Sequence, residues 1–497
     1  MRMTLTRNIR WALMALVAVA LGGCGTKSSA PSVRYSQAMI NARMSAWYNK
    51  DNCVGFPNAN STNGVLQPDV YATWDYVPGV VAKGILDVWQ YYQDSTWADA
   101  WYIGLAEWAN QFSDESLELQ GGILDDLNCA KVFMGLYEGA KPGGKFENAE
   151  RAAFYRKQMH RAAVALAEHK EKYSIHLDYP ADEYEPAVNG GWMHKATDNP
   201  EKSYWGQMWC DGAYMGQALL AQLLLYQTTE GTGLGWNDVV KQFTASWPYL
   251  WDEDQHLLYH VLFTDVTTNR NARAIYERGH AYLCNGEIMR HEQARVFHSE
   301  ESWCRAAGWY ILALVDAMEA YVLNLCEGEY PGADFETMQD YLVKLADGLV
   351  ARQDPETGCW YQLLQYDGTQ CATQGVDDTG SKKYTNVAEG GTQCNYLESS
   401  GSCLITAALL KATRLGFLDH AEAGKRGYEG IVRQFVRGKG AELTITSSCQ
   451  SAGLSHDRNG TAAYYLIGKD VPIQDNTEGK VLGAFLMAAI EYERMVK

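Results

Sequence analysis

The chain has 497 residues, of which 47% are hydrophobic and 12% aromatic, and its formal net charge at pH 7 is −18. This composition excludes a disordered or fibrous protein and supplies enough apolar surface for one very large core or several ordinary ones. So acidic a chain is unsuited to nucleic acid or to anionic lipid headgroups. The 16 Trp and 31 Tyr residues offer aromatic faces that suit stacking on sugar rings, although large cores also absorb aromatic residues.

The N-terminus has the pattern of a secretory signal peptide. Three arginines precede an apolar run from Trp11 to Leu21, which is too short for a comfortable membrane span. Small residues then lead directly to Cys24, in a pattern that resembles the cleavage box of bacterial lipoproteins. We therefore expect residues 1–23 to be removed, Cys24 to be lipidated and residues 24–35 to form a flexible tether, with an uncleaved anchor helix as the alternative.

Cleavage of the signal peptide also changes the electrostatic balance. It removes three positive charges and no negative ones, so the formal net charge of the mature chain becomes −21. We expect this chain to reside in the bacterial cell envelope, on the periplasmic side, and to contact the membrane only through its lipid. An anionic substrate would then require a few basic groups that create a local positive site.

The remaining eleven cysteines show no CxxC pairs and no metal-ligand pattern. Disulfides are permitted in the periplasm, and the candidate pairs are Cys359 with Cys371 or Cys394 with Cys403. Four cysteines lie in apolar helix-like segments and are expected to be small buried hydrophobic residues: Cys129, Cys210, Cys304 and Cys403.

Residues 36–497 show mostly helical periodicity, with apolar residues at three-to-four spacing. The twelve predicted helical segments are 37–49, 78–93, 97–112, 126–139, 147–172, 208–228, 236–249, 303–324, 336–352, 402–416, 419–436 and 478–495. Short alternating runs at 257–263 and 443–447 are the best strand candidates, and the stretches 264–300 and 366–393 are expected to be long loops. No linker divides the chain, so we predict a single all-α domain, an (α/α)6 barrel, with a superhelix of helix pairs as the alternative.

A polar and aromatic stretch at 189–226 leads into one of the predicted core helices and is the strongest candidate site. Its aromatic and ionisable residues are Trp192, His194, Lys195, Trp205, Trp209 and Asp211. Trp209 and Asp211 can face the same pocket only where the helix is just beginning. There the helix dipole lowers the pKa of Asp211, whereas a second carboxylate nearby raises it. The alternative is that the tryptophans are core residues and Asp211 caps the helix.

Two other helix starts carry candidates of the same kind. Asp125 and Asp126 precede a predicted helix, and either can cap it or point into the barrel as the partner of Asp211. Trp74 and Tyr76 precede the helix at 78–93, where they form either a hydrophobic staple or a wall for sugar stacking.

Later segments place a few polar groups among apolar residues. His260 lies in an apolar run, which is typical of a hydrogen-bonded core histidine as well as of a ligand contact. Arg305 is surrounded by tryptophan and alanine residues, so its guanidinium needs a carboxylate partner from the protein or from a ligand. Glu398 is a weaker candidate because it can simply cap the helix that follows.

An ordered series of motifs resembles glycoside hydrolase family 105, the unsaturated rhamnogalacturonyl hydrolases, which are related to the unsaturated glucuronyl hydrolases of family 88. The motifs, from Trp74 to about Glu491, are WxYxxG, LDDLNxxK, GGWMHK, QMWCDGAYMG, LLYH, WCRAAGW, GCWYQLL, YLESSGS and CQSAGL. The resemblance implies an (α/α)6 barrel that needs no metal or organic cofactor. It also implies a substrate oligosaccharide whose non-reducing end is a uronic acid with a C4=C5 double bond, left by a polysaccharide lyase.

The resemblance further implies roles for individual residues: Asp211 and Asp125 as the catalytic aspartates, and His260, Arg305 and Trp309 as substrate contacts. The residues themselves suggest further candidates for substrate contact, which are Tyr76, His194, Lys195 and Trp209. Asp211 would protonate C4 of the vinyl ether, and water deprotonated by the same group would add at C5. The hemiketal would then open and expel the aglycone. This role requires the pKa of Asp211 to be raised by burial and by Asp125.

Two other functions remain open on the same residues. They are an inverting glycosidase that acts on saturated oligosaccharides and a glycan-binding lipoprotein without catalysis. The motif WCRAAGW has two alanines where family 105 usually has Gly-Asn, and 264–300 is longer than usual, so the sugar next to the uronate stays open. The oligomeric state is also left open.

Overall fold

The fold was analysed on a computed structural model of the chain. It describes residues 33–44, 48–49, 53–54, 76–93, 95–110, 123–178, 185–195, 204–264, 281–283, 296–326, 329, 331–377, 379, 385–455 and 458–496. The expected signal peptide, Cys24 and most of the tether lie outside these residues, as does Trp74.

The helices of the described chain alternate between an outer and an inner ring. The outer helices are Tyr35–Met44, Thr96–Asn110, Ala149–Tyr173, Trp236–Leu250, Ala333–Ala351 and Ala421–Phe435. The inner helices are Tyr76–Tyr91, Lys131–Ala140 with the short helix Leu124–Asn128 before it, the segment 210–225, Cys304–Asn324, Ser399–Arg414 and Gly479–Met495. The segment 210–225 consists of the helix Cys210–Gly212, a π-helical turn Ala213–Gln217 and the helix Ala218–Leu225.

The inner ring is closed. Each inner helix packs on the next, and Gly479–Met495 packs back on Tyr76–Tyr91. Glycines allow this last approach, because a Cβ added at Gly84 would lie 3.0 Å from Leu486 and one added at Gly483 would lie 2.8 Å from the backbone of Val80. The predicted (α/α)6 barrel is therefore confirmed, and the superhelix is excluded because a superhelix leaves its ends apart.

The alternation of rings gives the barrel a direction. Because each inner helix is followed by an outer helix that returns the chain, all inner helices run the same way and their N-termini lie together at one end. The positions Tyr76, Asp125, Asp211, Arg305 and Glu398 each lie at or next to the start of an inner helix. The sequence motifs are thus gathered at the N-terminal end of the inner ring.

A four-stranded antiparallel sheet lies beside this end, and only its strand Val261–Thr264 overlaps a predicted one, the run at 257–263. Its strands, in spatial order, are Gln207–Trp209, Val261–Thr264, Val296–Ser299 and Ala281–Leu283. Trp209 packs on this sheet with Val261, Phe263, Phe297 and Leu454 in a small separate core. The expectation of a loop over 264–300 was wrong for the two strands inside it, since strands of three or four residues are too short to show a clear alternation. A short helix, Ala462–Ile467, was also missed.

One helix in the described part of the chain, Cys304–Asn324, is long and apolar enough to cross a membrane by length and composition alone. In the barrel it is an inner helix, with the residues from Cys304 to Met318 all buried. Its apolar character is accounted for by neighbouring helices on every side.

The disulfide differs from both predicted pairings. Cys371 and Cys394 face each other across the strands Cys371–Thr373 and Thr392–Cys394 and are joined by a disulfide. Cys359 and Cys403 are free thiols buried in the core, so neither predicted pair forms. The prediction that Cys129, Cys210, Cys304 and Cys403 are buried small residues is confirmed.

Candidate active site

A small cavity lies among the N-termini of the inner helices, with a volume of about 60 Å³. Seven of the nine protein residues predicted for the site line it: Tyr76, Asp125, His194, Trp209, Asp211, Arg305 and Trp309. The wall is completed by four residues that were not predicted: Met215, Trp303, Ser451 and Ala452.

Asp211 enters the cavity because a strand turns directly into a helix at this point. Trp209 is the last residue of the strand Gln207–Trp209 and also the N-cap of the helix, with extended backbone at φ −113° and ψ 146°. Asp211 is therefore the second residue of the helix and does not cap it, so the alternative of a capping aspartate was wrong. Gly212 permits close packing here, because a Cβ at this position would lie 3.1 Å from Nδ1 of His194.

Asp211 is hydrogen-bonded to a buried histidine. Its Oδ2 lies 3.2 Å from Nε2 of His260, whose side chain is fully buried. The backbone fixes this pair, since the N–H of Cys210 donates to the carbonyl of His260 at 3.1 Å and the N–H of His260 donates to the carbonyl of Glu301 at 3.1 Å. His260 thus lies behind the aspartate and does not form part of the cavity wall.

The pKa of Asp211 was expected to be raised, and this expectation was wrong. Burial raises the pKa of the Asp211 carboxyl, but the hydrogen bond with His260 and the charges that His260 and His194 carry when protonated outweigh burial and bring it below its usual value. Asp125 is not among the causes of this shift. The free site therefore holds Asp211 as a carboxylate at neutral pH.

Asp125 forms a second aspartate–histidine pair. Its Oδ1 lies 3.2 Å from Nε2 of His194. The ring of His194 stacks on Trp209 with centroids 4.9 Å apart and planes 6° apart, and His260 meets the same indole edge-on at 5.2 Å. Trp209 thus separates the two imidazoles. Of the two neighbouring aspartates, Asp125 lines the cavity and Asp126 is not among its lining residues.

Arg305 has its carboxylate partner within the protein. The guanidinium is 2% exposed; its Nε donates to Oγ of Ser400 at 2.7 Å and its Nη2 donates to the carbonyl of Cys449 and lies 3.9 Å from Oε1 of Glu398. Burial lowers the pKa of Arg305, but the carboxylates of Glu398 and Glu478 raise it by a larger amount, so the group stays charged. Glu398 also caps the helix Ser399–Arg414 by accepting from the N–H groups of Ser400 and Gly401, which confirms its predicted capping role.

Lys195 and Trp309, two of the predicted substrate contacts, do not present an open side chain to the cavity. Lys195 is not among the cavity-lining residues, and its Nζ lies 4.4 Å from the centroid of the Tyr204 ring. Trp309 lines the cavity but is 1% exposed, with its ring 4.6 Å from that of Tyr214. Ser451 and Ala452, which sequence reasoning did not single out, come from the CQSAGL motif, so the motif itself was the available indication.

Three helix starts at this end carry charged side chains of the cavity wall. The N-caps Ile123, Trp209 and Trp303 provide no side-chain capping hydrogen bond, and the helices they start carry Asp125, Asp211 and Arg305. Asp125 and Asp211 therefore lie in the first turn of their helices, where the free backbone N–H groups favour a negative charge.

A larger cavity of about 800 Å³ lies at the opposite, C-terminal end of the inner helices. Its charged groups pair with one another: Lys83 with Asp87 at 2.6 Å, Lys411 with Asp316 at 2.6 Å and Arg414 with Glu491 at 2.7 Å. Such internal compensation leaves little net charge for a ligand, so size alone does not make it the site. Among the described side chains, no group of three or more His, Cys, Asp or Glu residues is arranged to hold a metal ion.

Comparison with known proteins places the chain in a family. The sequence model described as Glycosyl Hydrolase Family 88 matches residues 51–375 and 369–496. A curated relative, Protein Atu3128 of Agrobacterium fabrum, is 26% identical over 200 residues, which cover 38% of this chain and 70% of the relative.

Solved structures share the fold. A family 105 glycoside hydrolase from C. acetobutylicum is 24% identical, with a TM-score of 0.58 and coverage of 93% of this chain and all of that one. The unsaturated glucuronyl hydrolase from Bacillus sp. GL1 is 16% identical, with a TM-score of 0.51 and coverage of 93% of this chain and 97% of that one. The resemblance to families 105 and 88 is thus confirmed. Because the family match spans most of the sequence, the chain belongs to Glycosyl Hydrolase Family 88 and is a glycoside hydrolase.

Proposed function

We propose that the enzyme removes an unsaturated uronic acid from the non-reducing end of oligosaccharides that a lyase has produced from pectin or rhamnogalacturonan. The observation that carries this proposal is the pair of aspartates, Asp125 and Asp211, each bonded to its own histidine and both lining one narrow cavity. The name of the Bacillus relative, an unsaturated glucuronyl hydrolase, supports the same class of substrate.

The charge of the site supports a uronate ligand. The mature chain carries a formal net charge of −21 if it begins at Cys24. Against this background, Arg305 and His194 are the basic groups that line the cavity. A carboxylate on the terminal sugar would be attracted by these groups, whereas a neutral sugar would gain nothing from them.

The chemical step follows from the state of Asp211. The free site holds it ionised, so it must take up a proton before it can act as an acid. A uronate carboxylate that enters beside Asp211 disfavours its charged form and raises its pKa, so proton uptake accompanies substrate binding. Asp211 then gives this proton to C4 of the vinyl ether, takes a proton from water, and the hydroxide adds at C5. The hemiketal opens to a 5-keto uronate, and C1 releases the aglycone as an alcohol.

A comparison of matched disaccharides tests the proposal. Wild-type enzyme is expected to abolish the ultraviolet absorbance of an unsaturated disaccharide and to leave its saturated counterpart intact. Equal cleavage of the saturated sugar would show an ordinary glycosidase, and binding without a product would show a glycan-binding protein. A panel of unsaturated disaccharides with rhamnose, galacturonic acid or another sugar at the second position identifies the preferred aglycone.

Variants of the aspartates test the assignment of roles. Asp211→Asn is expected to fold normally and to lose about two or more decades of kcat, the usual contribution of an acid–base group. Asp125→Asn is expected to lose activity as well, because His194 then loses its anionic partner in the cavity wall. Asp126→Asn makes the same chemical change one position away, at a residue not among those lining the cavity, and is expected to retain activity. Near-wild-type turnover by Asp211→Asn would contradict the assignment.

We also propose that the mature enzyme is a lipoprotein of the bacterial cell envelope, attached through Cys24 and facing the periplasm. The signal-like sequence at 1–23 supports this localisation, and the Cys371–Cys394 disulfide is of the kind that persists in an oxidising compartment. Metabolic labelling with a fatty acid is expected to mark the wild type and not Cys24→Ser. Equal labelling of the two would exclude acylation at this cysteine.

A further inference from the structure

A tyrosine hydroxyl lies behind the catalytic pair. Oη of Tyr465, on the helix Ala462–Ile467, is 2.5 Å from Nδ1 of His260. The other ring nitrogen of His260 faces Asp211 at 3.2 Å. Tyr465 and His260 are both fully buried, and neither is among the cavity-lining residues. The three side chains therefore form a line that leads from the core to the site.

The proton positions along this line follow from donor and acceptor counts. A neutral imidazole has one N–H donor and one lone-pair acceptor, and the hydrogen bond at one nitrogen determines the state of the other. An ionised Asp211 only accepts, so Nε2 must carry the hydrogen. Nδ1 is then an acceptor, and the Tyr465 hydroxyl must donate to it. When the ring is protonated, both nitrogens donate and the hydroxyl accepts.

We propose that Tyr465 is a positioning residue that donates to Nδ1 of His260 and so supports the Nε2–H tautomer that ionised Asp211 requires, which keeps a ring N–H directed at Oδ2 of Asp211. The effect of this tautomer on catalysis rests on the proposed function. Because Oδ2 is occupied by the ring N–H, the proton that Asp211 takes up with substrate must reside on Oδ1. In the opposite tautomer, the bare Nε2 would accept that proton and withhold it from C4.

The charged groups around the line are compatible with this assignment. Glu301, Asp211, Cys449 and Cys210 act electrostatically on Tyr465, and among them Glu301 is a candidate to draw the hydroxyl proton away. Burial, together with Glu300, raises the pKa of Glu301 to about 8, so this group is largely uncharged at pH 7 and attracts the hydroxyl proton only weakly. Burial also raises the pKa of Tyr465 well above its usual value, which keeps the phenol protonated.

Kinetics of Tyr465→Phe test the positioning role. The variant is expected to lose about tenfold in kcat, as a buried hydrogen bond to a reacting pair is removed, while KM changes less than about twofold because Tyr465 is not part of the cavity wall. Tyr102→Phe is the matched control, since it also removes one buried tyrosine hydrogen bond, at 2.6 Å to the carbonyl of Leu136, in a different pair of helices. Equal kcat values for Tyr465→Phe and the wild type would overturn the proposal.

Nuclear magnetic resonance of ¹⁵N-histidine-labelled protein tests the tautomer without any substrate. At a pH where the ring is neutral, the wild-type His260 signal, identified by its loss in His260→Asn, is expected to show the Nε2–H tautomer. Tyr465→Phe is expected to keep this tautomer, because ionised Asp211 still requires it, and to show a shifted Nδ1 resonance because the hydroxyl donor is lost. An Nδ1–H tautomer in the wild type would overturn the inference even if Tyr465→Phe failed to fold. If the wild type instead shows the expected tautomer but no turnover of unsaturated sugars, the proposed function fails and the positioning of His260 stands.

Discussion

Removal of the charge on Glu398 tests how the buried arginine of the site is held. Glu398 is fully buried and accepts hydrogen bonds from Oγ of Ser400 at 2.7 Å and from the N–H groups of Gly401 at 2.6 Å and Cys449 at 2.9 Å. The substitution Glu398→Gln keeps the shape but leaves the guanidinium of Arg305 without its nearest anion. Breaking a buried ion pair from one side costs about 3–5 kcal/mol of unfolding free energy, because an uncompensated charge stays buried.

The cost can be measured by thermal unfolding at a fixed scan rate. A barrel of this size unfolds with a large entropy, so a loss of about 3–5 kcal/mol is expected to lower the apparent Tm by several degrees. Glu422→Gln removes one member of an exposed pair, with Lys425 at 3.2 Å, and is expected to change stability by less than about 0.5 kcal/mol. The double variant Glu398→Gln, Arg305→Met is expected to recover part of the loss. An unchanged Tm for Glu398→Gln would refute the description of Arg305 as a buried, charged group that depends on this partner.

Two further predictions concern the C-terminal end of the inner helices and the contact that closes the inner ring. Burial raises the pKa of Asp316, but Lys411 and neighbouring lysines lower it by a larger amount. Its carboxylate therefore stabilises the fold above its unfolded pKa of about 3.9 and loses that contribution as the pH falls through the folded value. Denaturant titrations at several pH values are expected to show a shallower loss of stability on acidification for Asp316→Asn than for the wild type. Gly483→Ala places a Cβ against the backbone of Val80 and is expected to cost about 1–3 kcal/mol, whereas Gly235→Ala meets no atom within 4 Å and is expected to be nearly neutral in the same measurement. An unchanged acid response for Asp316→Asn, or equal stabilities for the two glycine variants, would contradict the packing and charges described.

The periodic parts of the sequence predicted the fold well. Each of the twelve predicted segments overlaps a helix or a helical pair of the described chain, because each inner helix must be apolar on nearly every side and each outer helix on one side. The predicted segment 37–49 extends too far, since its helix ends at Met44 and Tyr48–Asn49 is a strand. The predictions were wrong where the chain changes from one type of secondary structure to another within two or three residues. Trp209 was placed in a helix, although it ends a strand and starts the helix that carries Asp211, and nothing local in the sequence marks that change.

Features that depend on distant partners were not accessible from the sequence. The lowered pKa of Asp211 results from His260, which is 49 positions away, and the disulfide joins Cys371 to Cys394 only because two short strands bring them opposite each other. Tyr465 lies 205 positions from His260, in a short helix that shows no clear periodicity. The resemblance to a known family identified the residues in motifs, and it gave no indication of the side chain behind them.

The closed ring has a consequence for the synthesis of the protein. Its first described helix and its last are joined by Ser36, which donates to Glu493 from a distance of 457 positions. A nascent chain therefore exposes the apolar flanks of Tyr76–Tyr91 until the helix Gly479–Met495 has been synthesised, and loss of that helix would leave them uncovered. Contacts of such high sequence separation also slow folding. The fold consequently depends on the helix Gly479–Met495, and truncation before this helix is expected to yield insoluble protein with no partial activity.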